Sequence, residues 1–226
     1  MSPSLPILSI HQYNPASGKG HQRLLRLLGE LNRVIEQSGL AKTEYLAWKV
    51  IDEQQGPFSF VFGSLWPDRK TYEEVHRLEA FEDLVARCKA GDQLFEIEVQ
   101  NRFELLNSEP GSIPVVLSRL VSRLAMEAAV VESREAEERL IKILEQGSAA
   151  IARAGHPETR YDLWRITGQA QGPFTHLFGS LWASPKAYEE VHAHPAHQAF
   201  MKEYGGTLEK LLTRSMSNRY DRLDLG

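Results

Sequence analysis

The stretch "GPFSFVFGSLW" at residues 56–66 returns almost unchanged as "GPFTHLFGSLW" at residues 172–182, and this repetition decides the fold. The offset of 116 residues also aligns other parts of the chain, including the two "YEEVH" segments at 72–76 and 188–192. Further pairs at this offset are Gly39 and Gly155, Tyr45 and Tyr161, and Trp48 and Trp164. Near the end of each copy the offset grows to 117, which aligns Asn101-Arg102 with Asn218-Arg219. Two copies of one supersecondary unit therefore account for nearly the whole chain.

Hydrophobic periodicity within the first copy changes between the period of a strand and that of a helix. The predicted elements are a strand at 7–13, a helix from Leu24 to Gly39, strands at 45–51 and 58–66, a helix from Tyr72 to Cys88 and a strand at 94–103. Gly and Pro mark the turn between the two middle strands, which makes that pair a hairpin. The order of elements is therefore β-α-β-β-α-β.

This order is that of the ferredoxin-like split βαβ motif, an antiparallel sheet with both helices on one face. The other face would be left bare, and a second sheet in the same chain can cover it. We therefore predict an α+β fold in which two tandem ferredoxin-like repeats pack sheet to sheet. The predicted division is residues 1–104, a linker at 105–117 that begins with the Pro- and Gly-containing "LLNSEPGSIP", and residues 118–226.

The composition is that of a globular protein, and it excludes several classes of partner. Of the 226 residues, 42% are hydrophobic and 25% are charged, and the net charge is -4. Such a charge gives no field that would attract nucleic acid or an anionic membrane. Cys88 is the only cysteine, so no intrachain disulfide is expected. The absence of a recognisable signal peptide or membrane-spanning stretch predicts a cytoplasmic protein.

The second copy replaces one phenylalanine of the repeated strand by a histidine, His176. Alternate residues of a strand share a face, and three phenylalanines in register identify that face as buried. The predicted face comprises Phe174, His176, Phe178, Ser180 and Trp182, in place of Phe58, Phe60, Phe62, Ser64 and Trp66. A buried imidazole needs a hydrogen-bond partner. Either a neighbouring Tyr or backbone carbonyl supplies that partner, or His176 serves a ligand.

A histidine stands one helical turn after a tyrosine in both copies, as Tyr72 and His76 and as Tyr188 and His192. In each copy the histidine is predicted to lie at the edge of the helix's buried apolar face, beside Val75 or Val191. This place suits a structural histidine as well as a functional one. The presence of the pair in both copies favours the structural role. Trp164 and Trp182 are by default core aromatics, and each can also form the wall of a pocket.

The segment "HAHPAH" at 192–197 raises the question of a metal site, and no metal is expected there. A helix cannot bring His192 and His194 to one face, and Pro195 is predicted to restart the helix with His194 near its N-cap. No carboxylate or cysteine stands at a recognised ligand spacing. Nucleophile-elbow, phosphate-loop and dinucleotide motifs are absent from the sequence as well.

The tandem β-α-β-β-α-β pattern, a Trp that closes the third strand, and the helix "YEEVHAHPAHQAF" together resemble the dimeric α/β-barrel superfamily. The resemblance is greatest to its antibiotic-biosynthesis-monooxygenase and NIPSNAP-like branches. In this chain the pattern falls on Trp182, His192, His197 and Phe200, whereas the first copy has Trp66, His76 and Phe81 and lacks the second histidine. An equivalent site in the first copy is therefore in doubt.

The resemblance implies a cofactor-independent monooxygenase, or a degenerate relative, that acts on an aromatic or polyketide-like compound in a pocket of the second copy. In that reading, His192 or His176 takes a proton from a phenolic or enolic substrate. Trp164, Phe178 and Trp182 hold the ring and exclude water, while Tyr188 orients the substrate or stabilises an oxyanion. His197 belongs to the same substrate-binding set.

Two other functions stay open at this point. A non-catalytic ligand-binding or assembly protein would use the same apolar pocket without needing a tuned base. Haem binding is the third, because some members of the superfamily hold haem through a single histidine. No cofactor is expected under the leading hypothesis. A homodimer formed through edge strands is a further expectation from the resemblance.

Overall fold

The computed structural model describes residues 5–40, 43–51, 54–90, 93–107 and 122–225. The N-terminal half contains β1 (Ile7–Pro15), α1 (Gly18–Ser38), β2 (Leu46–Ile51), β3 (Phe60–Trp66), α2 (Arg69–His76), α3 (Glu79–Lys89) and β4 (Phe95–Leu105). The C-terminal half contains β5 (Arg123–Val130), α4 (Arg134–Arg153), β6 (Asp162–Ile166), β7 (His176–Trp182), α5 (Pro185–Ala193), α6 (Pro195–Leu211) and β8 (Thr213–Arg222). The two halves thus have the same order of elements.

The eight strands form one closed antiparallel barrel in the order β1-β3-β2-β8-β5-β7-β6-β4. The sheet of each half joins that of the other at both edges, since β2 pairs with β8 and β4 pairs with β6. The predicted α+β fold of two ferredoxin-like repeats in one chain is confirmed. Each of these strands has a strand on either side, so the expectation that a free edge would pair two chains is wrong. A homodimer through another surface stays a prediction.

The strand registers show which residues of the N-terminal half correspond to which residues of the C-terminal half. Ile10 lies opposite Gly63 and Asn101, and Met126 lies opposite Gly179 and Asn218. The offset between the halves is therefore 116 residues through most of the chain and 117 in β4 and β8. The N-caps agree with it, because Ser17 caps α1 and Ser133 caps α4.

At β3 and β7 both faces of the barrel wall are largely buried, one inside the barrel and one under the helices, whereas β4 and β8 keep exposed residues. The interior cluster includes Trp48, Trp164, Leu177 and Tyr220. The outer face of the C-terminal half packs against α4, α5 and α6, with Trp182 fully buried in that layer. Alternate residues of β7 therefore face two different buried environments.

Two details of the predicted secondary structure are corrected. The helix expected from Tyr72 to Cys88 is two helices, because Leu78 has extended backbone angles (φ -66°, ψ 131°) and α3 starts after it. Phe174 does not share the outer face with His176, because β7 begins only at His176 and the Phe174 ring packs against the interior cluster. The break between α5 and α6 does lie at Pro195, with His194 as N-cap.

The repeated Gln-Gly-Pro turn serves to clamp the halves together. In the N-terminal half the Asn101 side chain accepts a hydrogen bond from Gln171 N (2.9 Å) and donates one to Gln171 O (3.0 Å). Asn218 does the same for Gln55, at 2.8 and 2.9 Å. Each half thus holds the hairpin turn of the other. The glycine that follows each glutamine has a positive φ, 83° at Gly56 and 100° at Gly172, which explains why glycine stands there.

The predicted linker at 105–117 lies mostly outside the described residues, and the proposed division at residue 104 stays a prediction. β4 ends at Leu105, and β5 begins at Arg123. Within the described ranges, no helix has the length and apolar character needed to cross a lipid bilayer.

Candidate functional site

A pocket of about 580 Å³ lies in the C-terminal half between the outer face of the sheet and helices α5 and α6. Strands β5, β7 and β8 form its floor. The lining residues include Glu127, Tyr161, Phe178, Ser180, Tyr188, His192, His197, Phe200, Met201, Leu208, Leu212, Ser215 and Ser217. Its volume lies within the range of small-molecule sites, and aromatic walls with few polar groups are typical of such sites.

The structure brings four of the predicted site residues to this pocket: Phe178, Tyr188, His192 and His197. Trp182 lies behind the wall, with its ring 5.4 Å from that of Tyr188 at nearly a right angle. Its indole nitrogen donates a hydrogen bond to Ser180 Oγ at 2.9 Å. Trp182 therefore supports the wall without lining it.

The other two predicted residues lie elsewhere. Trp164 is on β6 and faces the barrel interior, on the opposite side of the wall from the pocket. His176 lies on the outer face but is engaged in the core, since its Nε2 is 3.0 Å from a Glu137 carboxylate oxygen and its Nδ1 is 2.8 Å from Thr175 Oγ1. Glu137 also contacts Arg165 at 3.2 Å. Both ring nitrogens of His176 are thus satisfied by protein groups.

His192 lines the pocket, and one of its two ring nitrogens is held by the backbone. Its Nδ1 is 2.7 Å from the backbone carbonyl of Tyr188. Because a carbonyl can only accept, Nδ1 carries the hydrogen and the lone pair of the neutral ring is on Nε2. Among the described residues Nε2 has no hydrogen-bond partner. Burial lowers the pKa of His192, and the positive charge of Arg219 adds to this effect. The ring is therefore neutral at pH 7 and able to accept a proton.

A comparison with the N-terminal half explains why Nε2 of His192 has no partner. There the Tyr45 hydroxyl lies 3.2 Å from Nε2 of His76, which occupies the place of His192. In the C-terminal half the corresponding hydroxyl, that of Tyr161, is 2.8 Å from Nε2 of His197 instead. The N-terminal half has Phe81 in place of His197, and a phenyl ring cannot compete for the hydroxyl.

The two histidines of the pocket lie close together and differ in their surroundings. The ring centroids of His192 and His197 are 4.4 Å apart. Burial lowers the pKa of His197 to about 4, and the nearby His192 contributes in the same direction. Burial also raises the pKa of Tyr161 above its usual value, so its hydroxyl keeps its proton and can donate it to His197. Nε2 of His197 is thus engaged by the Tyr161 hydroxyl, and His192 is the histidine that is available to a ligand.

Gly147 of α4 creates room for the aromatic wall. A Cβ at this position would lie 2.7 Å from Cδ2 of Tyr161 and 2.8 Å from Cζ of Phe200. The corresponding residue of α1 is the buried Leu31. The helix thus approaches the two rings so closely that only glycine fits between them.

Sequence reasoning missed several residues of the pocket, above all Glu127, Tyr161, Ser215 and Ser217. The signal was present in the offset between the copies, because Glu127 corresponds to His11 and Ser215 corresponds to Glu98. In the N-terminal half this space is filled: the His11 ring stacks on Phe62 with centroids 4.2 Å apart. Only a comparison of the two copies along β1 and β5 would have revealed the change.

A metal centre is not indicated in the described ranges, where no group of three or more His, Cys, Asp or Glu residues is arranged to hold an ion. His194, the remaining histidine of "HAHPAH", caps α6: its Nδ1 accepts a hydrogen bond from Ala196 N at 3.1 Å. This agrees with the role that Pro195 suggested for it.

Neither a protein-family model nor a curated protein sequence matches the chain. Solved structures match its fold. A candidate monooxygenase from Lactobacillus acidophilus is 10% identical, with a TM-score of 0.66 over 96% of this chain and 94% of the other. An anthrone oxidase-like protein is 13% identical, with a TM-score of 0.56 over 96% and 91%. A candidate monooxygenase from Fusobacterium nucleatum is 10% identical, with a TM-score of 0.58 over 99% and 94%.

Identities this low establish the fold and nothing further. Because the likeness extends over nearly the whole chain, it covers both halves of the barrel and their connection. The chain therefore has the dimeric α/β-barrel fold, with both ferredoxin-like halves of the barrel in one polypeptide.

Proposed function

We propose that the pocket binds an aromatic small molecule and that His192 removes a proton from it, in an oxidation of the cofactor-independent monooxygenase type. The observation that carries this proposal is the free Nε2 of His192, which borders an aromatic pocket of about 580 Å³. A general base must reach the proton that it takes, and Nε2 is placed to reach a ligand in the pocket.

The walls favour a planar aromatic ligand. Phe178 lies on the floor, and Tyr188 and Phe200 approach from the helices. Rings in this arrangement stack on or meet the edge of an aromatic ligand and exclude water from it. Trp182 holds the Tyr188 ring from behind, which limits the freedom of the wall.

The proposed reaction begins when Nε2 takes a proton from a phenol or from an enolisable carbon. The resulting anion is electron-rich and can react with O2 itself. In the simplest case a CH2 group and O2 become a carbonyl group and water, which balances without another oxidant. The guanidinium of Arg219, near the Tyr188 ring at 5.8 Å, favours the anion electrostatically. The description of one structural neighbour as anthrone oxidase-like supports this class, because an anthrone carries an enolisable CH2 between two aromatic rings.

No cofactor is part of the proposal. Haem suits the lining poorly, because Glu127 and Glu209 border the pocket and carboxylates repel haem propionates. A visible absorption spectrum of the purified protein decides this question. A Soret band would favour haem binding over the proposal.

The proposal is tested by O2 consumption with anthrone as substrate, in the whole chain and in His192→Asn. An Asn amide can keep the hydrogen bond to the Tyr188 carbonyl, whereas the Nε2 base is lost. We expect kcat to fall by roughly 100-fold or more. The matched control is His76→Asn, at the same place in the N-terminal half, which should leave kcat unchanged. Equal losses in both variants would show that the histidine acts through folding alone.

The alternative is a protein that binds such a ligand without converting it. The lowered pKa of His192 is the observation that favours it, because a weaker base is a poorer proton acceptor. Saturable anthrone binding without O2 consumption in the wild type would establish this alternative.

A further inference from the structure

We propose that Glu127 determines the specificity of the pocket by binding a hydrogen-bond donor of the ligand, either an ammonium or a hydroxyl group. The inference rests on the proposed function, since it takes the same pocket as the ligand site. It adds the chemical class of the ligand: an aromatic ring system that carries a donor group in addition to the acidic proton taken by His192.

Glu127 lies in the middle of the pocket floor. In the strand registers it is opposite Phe178 on β7 and opposite Ser217 on β8, and all three residues line the pocket. Its side chain is half-buried. In the described part of the chain no hydrogen-bond or ion-pair partner of this carboxylate is found. A partly buried carboxylate without a partner is unfavourable, and a ligand donor would relieve that penalty.

The N-terminal half again provides the comparison. Its floor also holds a carboxylate, that of Glu98 on β4, but there Nδ1 of His11 on β1 lies 2.5 Å from the carboxylate oxygen and forms a hydrogen bond with it. In the C-terminal half the carboxylate of the floor comes from β5, the counterpart of β1, and not from β8, the counterpart of β4. Glu127 stands in place of His11, and Ser215 stands in place of Glu98. The carboxylate has been kept while its partner has been removed.

The side chains around Glu127 leave room for a ligand group. Ser215 and Ser217 occupy the places of the longer Glu98 and Gln100, and both serines are exposed at the pocket. Glu209 also borders the pocket. Its carboxylate adds to the negative potential of Glu127 and favours a cation near these two groups, whereas Arg219 lies beside Tyr188 and favours an anion there. His192 on the helix side and Glu127 on the floor thus give the pocket two polar contacts with different preferences.

Four fluorescent probes with one ring system test the proposal: anthracenylmethylamine, anthracenylmethanol, methylanthracene and anthracenecarboxylate. Their Kd values are measured by fluorescence titration at neutral pH with the whole protein. We expect the amine to bind about tenfold more tightly than methylanthracene, the alcohol to lie between them, and the carboxylate to bind most weakly.

Glu127→Gln should remove the advantage of the amine while it leaves the Kd of methylanthracene within about twofold. Thermal unfolding of the variant checks that it is folded, and Glu127→Asp, which keeps the charge, should retain part of the preference. The matched control is His11→Gln, at the same strand position in the N-terminal half, for which the wild-type order is expected.

The outcomes separate this inference from the proposed function. If the four probes bind but Glu127→Gln leaves their order unchanged, the inference is overturned while the site stands. If the order depends on Glu127 but His192→Asn keeps full O2 consumption, the inference stands and the proposed reaction is wrong. If no probe binds to the wild type, the pocket is not an aromatic ligand site and both are overturned.

Discussion

The Tyr161 hydroxyl lies 2.8 Å from Nε2 of His197, whereas its counterpart in the N-terminal half, Tyr45, lies 3.2 Å from Nε2 of His76. One substitution, His197 for Phe81, accounts for the difference. It offers the hydroxyl another acceptor and leaves the base candidate His192 without a partner on Nε2. The chain thus contains two versions of one arrangement: Nε2 of His76 is hydrogen-bonded to a tyrosine, and Nε2 of His192 is not.

The first prediction follows from that exchange. His197→Phe restores the residue of the N-terminal half, so the Tyr161 hydroxyl should turn to His192 and occupy its Nε2. We expect the protein to remain folded and its rate of anthrone oxidation to fall by about tenfold or more, because the proposed base is now blocked. NMR titration of the His192 ring, with and without ligand, measures the change directly.

The reciprocal variant is the control for this prediction. Phe81→His should draw the Tyr45 hydroxyl away from His76, with no effect on the pocket of the C-terminal half. Undiminished oxidation in His197→Phe would mean that the bond between Tyr161 and His197 does not govern the availability of His192.

A second prediction concerns His176, whose ring is held by Glu137 and Thr175. His176→Phe introduces the residue of the N-terminal half, Phe60, but leaves a largely buried carboxylate with Arg165 as its remaining charged partner. We expect the free energy of unfolding to fall by about 1–3 kcal/mol, as measured by urea denaturation. Ligand binding should be unaffected, because His176 does not border the pocket. A variant as stable as the wild type but unable to bind would return His176 to the candidate site.

The order of the elements could be predicted because two signals agree on it in each half: the hydrophobic periodicity and the residues typical of turns. What periodicity could not resolve was which buried side of the wall a residue faces. Trp164 and Trp182 look alike in sequence, yet Trp164 lies inside the barrel and Trp182 lies under the helices. A strand with both faces buried gives no polar alternation to tell them apart.

The partner of His176 was equally hidden from the sequence. Glu137 stands 39 residues before it, in a charged segment typical of a solvated helix face. Most of that face is indeed exposed, but the side chain of Glu137 is only 12% exposed. A contact of this kind depends on where α4 crosses the sheet, which only the tertiary structure determines.

A third prediction is that the folded protein loses stability as the pH falls from about 6.5 towards 4. Burial lowers the pKa of His76 and of His197 to about 4, so in this window the unfolded chain binds more protons than the folded one. Asp162 acts in the opposite direction, because burial raises its pKa to about 6 and the folded state then keeps a proton that the unfolded state releases. The pKa values of His21, His176 and His192 are lowered as well, so the histidines should outweigh the aspartate.

Urea unfolding at pH 7 and pH 5 measures this balance. The difference between the free energies of unfolding at the two pH values should shrink in His197→Phe, which removes one of the histidines whose pKa burial lowers. A midpoint that rises on acidification would show that Asp162, rather than the histidines, dominates.

A fourth prediction addresses the clamp between the halves. Asn218 is 7% exposed and makes two hydrogen bonds to the backbone of Gln55. Asn218→Ala should therefore lower the free energy of unfolding by about 1–3 kcal/mol, since it removes two partly buried hydrogen bonds between the halves. Asn101→Ala, at the more exposed equivalent position, should cost less. Urea denaturation of both variants gives the comparison, and equal losses would contradict the argument from burial.

The last prediction is that residues 1–104 alone self-associate. In the whole chain the interior residues Leu46, Trp48, Leu65 and Phe103 are covered by the other half, and strands β2 and β4 pair with β8 and β6. The fragment would expose this apolar surface together with two unpaired strand edges. Because the halves are alike, β2 of one copy can pair with β4 of a second and close an eight-stranded barrel. Sedimentation velocity should therefore find a dimer, and Trp48→Lys, which places a charge in the new interior, should prevent it. A fragment that circular dichroism shows to be folded and sedimentation shows to be monomeric would mean that one sheet is stable without its partner.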